Sequence, residues 1–146
     1  MTIFTIGFTK KSAAEFFNLL RNSNVRTLYD VRTNNSSQLA GFAKKQDLSF
    51  FLKEILNVDY VELRELCPEP NLLKTYRSGA MNWAAYSEKY IEGLAKRNAE
   101  RNVPLQLLEA GCLLCSEHEA TFCHRRLAVE YLASFATSKP SISHLL

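Results

Sequence analysis

A chain of 146 residues fits one domain and leaves little room for a second. Hydrophobic residues at 47%, charged residues at 23%, and 9 Phe, 6 Tyr and 1 Trp supply a packed core and exclude a disordered or low-complexity protein. The net charge of +3 is compatible with an anionic ligand but too mild to argue nucleic-acid binding by itself.

No apolar run approaches the ~18–20 residues that cross a bilayer. Met1 to Thr9 lacks the basic and apolar regions of a signal peptide. These features predict a cytoplasmic protein without a membrane partner. Cys67, Cys112, Cys115 and Cys123 are then expected as free thiols rather than a disulfide framework.

Thr2 to Ile6 is a short β-rich run closed by Gly7. Ser12-Ala-Ala-Glu15 matches a capping box, and Ala13, Phe16, Phe17 and Leu20 recur at helical spacing, so a helix should run to about Asn22. Arg26 to Val31 reads as a second strand, followed by the polar loop Thr33 to Ser37. Leu48, Phe51, Leu52, Ile55 and Leu56 mark a second amphipathic helix, and Tyr60 to Leu63 a third strand.

Cys67-Pro-Glu-Pro70 breaks the chain, with a short helix expected near 71–76. Asn82 reads as the N-cap of a long helix that places Trp83, Tyr86, Tyr90, Ile91 and Leu94 on one face and ends at Pro104. Cys112 to Ser116 is a fourth, fully apolar strand of the kind covered on both sides. Thr121 is the expected cap of a final helix whose stripe is Leu127, Ala128, Tyr131, Leu132 and Phe135. Alternating strands and helices predict a single three-layer α/β domain over residues 1–136, with a mostly parallel four-stranded sheet flanked by helices. Residues 137–146 read as a C-terminal tail.

Ligands of open parallel sheets bind beyond the carboxyl ends of the strands, so chemistry is expected where those ends converge. They carry Gly7-Phe8-Thr9, then Asp30-Val-Arg32 with the Asn/Ser loop, then Cys115-Ser-Glu117 leading to Cys123-His-Arg-Arg126. With Thr121 as cap, Cys123 and His124 fall in a first helical turn, which favours thiolate at Cys123 and anions near Arg125 or Arg126. The plainer alternative has His124 and an arginine capping the neighbouring loop or pairing with Glu117 or Glu119. Asp30 and Arg32 leave the same face of an extended chain, so they pair with each other or the carboxylate aims Arg32 at a ligand. Asn34, Asn35, Ser36 and Ser37 suit a phosphate or base edge as well as plain turn chemistry. Lys44 and Lys45 read as a solvated face.

Sharper motifs mostly fail. Cys112 and Cys115 lie an odd number of residues apart in a strand and face opposite ways, against a redox pair. The residues six positions after Cys112, Cys115 and Cys123 are not arginine, which excludes a tyrosine-phosphatase loop. No glycine-rich dinucleotide or P-loop fingerprint occurs. Cys115, His118, Cys123 and His124 contain zinc-ligand types at a spacing that matches no standard pair of knuckles, so no cofactor is expected and zinc is the minor alternative.

Thr5-Ile-Gly-Phe-Thr9, Leu28-Tyr-Asp-Val-Arg32, Ser36 to Phe42, Leu113-Leu-Cys-Ser-Glu117 and Cys123-His-Arg125 occur in that order. Together they resemble the domain of unknown function 488 family, small bacterial and archaeal α/β proteins, over about Thr2 to Phe135. The resemblance implies a compact α/β fold and no established activity. Its shared motifs fall on Gly7, Asp30, Arg32, Ser36, Cys115, Glu117, Cys123, His124 and Arg125. Two departures stand out. Phe8 replaces a His that many members carry after the first Gly, and Asn and Ser replace a Pro in the loop after Asp-x-Arg.

The leading expectation is a pocket for a small anionic or nucleotide-like ligand, or a nucleic-acid end. It would be built from Gly7, Asp30, Arg32, Asn34, Ser36, Cys115 and Arg125. One alternative is a cysteine-dependent enzyme using Cys123 or Cys115 with His124 or Glu117 as acid/base. The other is an interaction module presenting the aromatic face of the long helix.

Overall fold

The computed structural model describes residues 1–36 and 41–146. Ser37 of the polar loop, with Gln38, Leu39 and Ala40 of the family motif, lies outside the described residues. The chain is α/β, as the alternation of patterns predicts. Its sheet has five parallel strands: β1 (Thr2–Gly7), β2 (Thr27–Asp30), β3 (Asp59–Glu62), β4 (Gly111–Cys115) and β5 (Ser141–Leu145), in the order β3-β2-β4-β1-β5.

The fifth strand corrects the expected count of four, and it comes from the segment read as a tail. Ser141-Ile-Ser-His-Leu145 pairs along all of Thr2 to Ile6. Its Ser and His dilute the apolar alternation because an edge strand need cover only one neighbour.

Helix α1 (Ala13–Asn22) starts from the expected capping box: the Ser12 hydroxyl accepts from the Glu15 N–H, and the Glu15 carboxylate accepts from the Ser12 N–H. Helix α2 (Lys45–Phe51) continues through Leu52–Leu56, where the turn widens to π spacing, and stops at Asn57 in a left-handed conformation. Both helices bury apolar residues, chiefly Phe16, Phe17, Leu20, Leu48 and Leu52, against Ile6, Leu28, Cys112 and Leu114 on one sheet face.

The opposite face is covered by α4 (Trp83–Lys96) and α6 (His124–Ala133), whose Tyr90, Leu94, Leu127 and Leu132 pack with Ile3, Tyr29 and Leu113. Between β3 and α4 runs α3 (Pro70–Arg77), and α5 (Ala99–Asn102) follows α4. The long helix ends at Lys96, well before Pro104, because Asn98 takes φ 53° and breaks the ladder. Of its expected aromatic stripe, Tyr86, Tyr90 and Leu94 are buried in the chain's own core, Trp83 is half-buried and Ile91 is exposed. Among the described residues no helix is long and apolar enough to cross a membrane.

The two helical layers follow from strand order. From β1 through β2 to β3 the chain moves one way along the sheet; from β3 to β4 and on to β5 it moves back. Crossovers of one hand must then cover opposite faces. The neighbours β2 and β4 send their outgoing connections to different sides, which opens a crevice at their carboxyl ends. That crevice positions the site.

Strand β5 carries a pH-sensitive tie. Arg125 Nε donates to Thr5 Oγ1 (3.2 Å), and the Thr5 hydroxyl lies 2.6 Å from His144 Nδ1, which serves as its acceptor. Burial, and then the Arg125 charge, lower the pKa of His144 below the ordinary histidine value. The unfolded chain therefore binds the proton first as pH falls below about 6.5, and stability contributed by neutral His144 is lost downward from there. Protection of the β5 amides, taken relative to the intrinsic exchange rate at each pH, should fall from pH 7.5 to 5.5 (roughly spanning that titration) and His144→Gln should flatten the change. An equal loss of protection in His144→Gln would refute this assignment.

Candidate functional site

A cavity of about 660 Å³ lies at the carboxyl edge of β1, β2 and β4. Phe8, Thr9, Lys10 and Lys11 approach it from β1, Arg32, Thr33 and Asn34 from β2, and Cys115, Ser116 and Glu117 from β4. His124, Leu73 and Arg77 complete the described wall with Gly41 and Phe42. Segments far apart in the sequence meet here because parallel strands end together.

The loops are tied to one another as well as to the sheet. Thr9 donates to the Ser116 carbonyl through its N–H (3.2 Å) and its hydroxyl (2.8 Å). At Gly7 any Cβ would overlap the carbonyl of Glu117, so glycine lets the loop after β4 lie directly on β1. Gly7 is thus a packing requirement behind the cavity and not part of its wall.

Arg125 also stands behind the wall. It is fully buried, and its guanidinium donates to Thr5 Oγ1, the Glu117 carbonyl (2.6 Å) and the His118 carbonyl (3.1 Å). The expected anion-binding arginine is a clamp on the 117–118 loop. Arg126 is committed likewise, to the Thr121 carbonyl and, at 3.1 Å, to Glu130. For both arginines the plainer loop-capping alternative holds.

Asp30 and Arg32 pair as their spacing allows. Arg32 Nε and Nη2 each lie 2.9 Å from an Asp30 carboxylate oxygen, and the Arg32 N–H donates to Oδ1 at 3.1 Å. The Tyr60 hydroxyl donates to the same carboxylate; burial first, and then this hydrogen bond, push the phenol well above its ordinary pKa. The pair is buried, with Arg32 over the Phe8 ring and still forming part of the cavity wall. Its charges largely cancel, so Arg32 contributes a fixed donor edge rather than a full positive charge.

Asn34 lines the cavity and also accepts the Ser36 N–H (3.2 Å), a local turn of the kind Asn favours. Ser36 itself borders a separate hollow beside Lys44 and Lys45, so it is not among the cavity residues. Lys45 pairs with Glu62 on the surface.

The start of α6 differs from expectation. Cys123, not Thr121, is the N-cap residue, and His124 is the first helical residue. Cys123 makes no side-chain capping hydrogen bond, so the free N–H groups of the first turn do not hold its sulfur. Burial pushes its thiol far above the ordinary value, and its hydrogen bond to Cys115 pushes the same way. Cys115 is the more acidic thiol. Burial alone would raise it, but the Cys123 hydrogen bond, the Arg125 charge and the Glu117 and Ser116 N–H groups together bring it below the ordinary value.

His124 Nε2 lies 2.7 Å from the Val31 carbonyl, which can only accept, so this nitrogen carries the proton. In the neutral ring Nδ1 is then an open lone pair, and it faces Cys115 Sγ at 3.5 Å. Cys115 Sγ, Cys123 Sγ and His124 Nδ1 or Nε2 form a buried group within 4.8 Å of one another. His118 does not join it: its Nδ1 lies 3.1 Å from Lys11 Nζ and 3.1 Å from the Thr9 carbonyl. Glu117 lines the cavity while Arg125 holds its backbone carbonyl.

Lys11, Lys10 and Arg77 line the cavity but carry no recognisable motif in the sequence. The Lys10-Lys11 pair directly after the first strand end was the available signal. Arg77 had none, because α3 is brought over the crevice by the crossover alone. Lys11 is nearly buried, and burial followed by the Arg125 charge lowers its pKa.

The family model described as Domain of unknown function DUF488 matches residues 12–132. No curated protein and no solved structure matches the chain.

Proposed function

The chain belongs to the DUF488 family, whose description names no activity, and from the site's own chemistry we propose that it binds a small phosphate-bearing or otherwise anionic ligand in the crevice between β2 and β4. One observation carries this reading. Lys10, Lys11, Arg32 and Arg77 line the cavity against a single carboxylate, Glu117, among the described residues. Arg32 is neutralised by Asp30, so Lys10, Lys11 and Arg77 supply the net attraction.

The volume of about 660 Å³ suits a ligand of nucleotide size. Phe8 and Phe42 offer an apolar wall for a base or sugar, while Thr9 and Asn34 add polar groups at the rim. A strand end of nucleic acid would present the same phosphate chemistry. Its binding would show a steeper loss with salt, since more counterions are released.

Thermal unfolding and calorimetry with pyrophosphate, nucleoside monophosphates and short single-stranded oligonucleotides test the reading. We expect stabilisation by at least one phosphate compound and a loss of about hundredfold in affinity for Lys10→Ala/Arg77→Ala, at about 1.5 kcal/mol for each of two charge-assisted hydrogen bonds. Both residues are exposed, so the variant should fold. Absence of any phosphate-dependent stabilisation, or unchanged affinity in the double variant, overturns the proposal.

A further inference from the structure

Of the buried Cys115, Cys123 and His124 group, Cys115 and His124 line the cavity, and the group is not needed for anion binding by the lysines and Arg77. We propose that Cys115 Sγ, Cys123 Sγ and His124 Nδ1 bind one zinc(II) ion, whose fourth position faces the cavity.

Three observations converge. The donor set is two thiolate sulfurs and one imidazole nitrogen, a set zinc favours. The spacing is right: bonds of about 2.3 Å to sulfur and 2.0 Å to nitrogen at a tetrahedral angle separate S and N by about 3.5 Å. Cys115 Sγ and His124 Nδ1 stand 3.5 Å apart, and all three ligand atoms lie within 4.8 Å.

The second sphere is also in place. The Val31 carbonyl holds the proton on His124 Nε2 and leaves Nδ1 directed at the sulfurs, the arrangement that fixes tautomer and ring orientation in histidine–metal sites. The Tyr90 ring packs edge-on against the imidazole at 5.6 Å between centroids.

Only three protein ligands meet among the described residues, which is the pattern of zinc sites that keep a position for water or an incoming ligand. Cys115 and His124 are cavity-lining, so that position opens toward the anion-binding wall. Binding exchanges two S–H protons for two Zn–S bonds and releases the protons to solvent when both thiols start neutral. No redox partner is required.

The test uses the full chain, reduced, stripped of metal and titrated with cobalt(II) in a phosphate-free buffer. We expect one equivalent to bind with an intense thiolate-to-cobalt charge-transfer band and strong tetrahedral visible absorption, both lost on adding zinc. Zinc should block alkylation of Cys115 and Cys123 while leaving Cys67 unaffected.

Cys123→Ala is the informative variant, because the Cys123 side chain makes no helix-capping hydrogen bond. It should halve the charge-transfer intensity and weaken affinity beyond the roughly 10–100-fold that second-sphere losses cost. Cys112→Ala, on the other face of the sheet, is the control and should keep the full band.

A folded wild-type protein without the thiolate band, or equal bands in wild type and Cys123→Ala, overturns the proposal. So does fast alkylation of Cys115 in the presence of excess zinc, which would identify a free nucleophilic thiol. The measurements need no anion, so loss of phosphate binding in Lys10→Ala/Arg77→Ala with an intact cobalt band separates the two readings.

Discussion

Arg125→Ala should destabilise the protein by about 3–5 kcal/mol, read as a shift in the urea unfolding midpoint. The side chain is fully buried, and its removal leaves the Glu117 and His118 carbonyls without their donor and a void between β1 and α6. Both carbonyls are partly buried and lose a charged donor, whose hydrogen bonds are worth more than neutral ones. Arg125→Lys should recover only part of the loss, since one ammonium cannot reach three acceptors held in a planar fork.

The same substitution has a chemical signature. The Arg125 charge helps hold the Cys115 thiol below its ordinary pKa. In metal-free protein, Arg125→Ala should therefore slow alkylation of Cys115 near neutral pH, and Arg125→Lys should slow it less. A variant within about 1 kcal/mol of wild type would show that the 117–118 loop is held by the Thr9 hydrogen bonds to Ser116 instead.

Asp30→Leu should cost about 3–5 kcal/mol, because it strands the Arg32 guanidinium as an uncompensated buried charge. The Tyr60 hydroxyl loses its acceptor at the same time. Asp30→Leu/Arg32→Met should regain most of that stability, as replacing both partners of a buried pair by apolar groups is often neutral. If Arg32 is a binding edge of the cavity, the double variant will be stable yet bind pyrophosphate more weakly. Denaturant unfolding paired with calorimetry separates the effects. A double variant as unstable as the single one would mean that the pair itself, and not charge isolation, holds the loop after β2.

Much of the frame was legible along the chain. The Ser12–Glu15 box and the Asn82 cap are local signals completed by hydrogen bonds within three residues, and the apolar run of β4 is legible because both its faces are buried. The last strand was not legible because an edge strand has no strict apolar alternation and its partner, β1, lies about 140 residues away. The cap of α6 was misplaced because Thr121 is the favoured capping type nearby, whereas the helix starts two residues later from Cys123, which makes no side-chain capping hydrogen bond.

The candidate site divides in the same way. Asp30 and Arg32 are two residues apart, so their pairing was available from strand geometry. Arg77 was not, since nothing local says that α3 lies over the crevice.

From the order of its residues alone, this protein's class, its layers and the edge where its motifs gather could be deduced, because periodicity and caps act over a few bonds. Only the folded chain decided what each motif residue faces. Arg125 turned to backbone carbonyls, His124 offered Nδ1 to Cys115, and Cys115 rather than Cys123 became the more acidic thiol. Those outcomes depend on distances between segments as remote as β1 and α6. Burial and hydrogen bonding set them, and neither exists until the strands have paired.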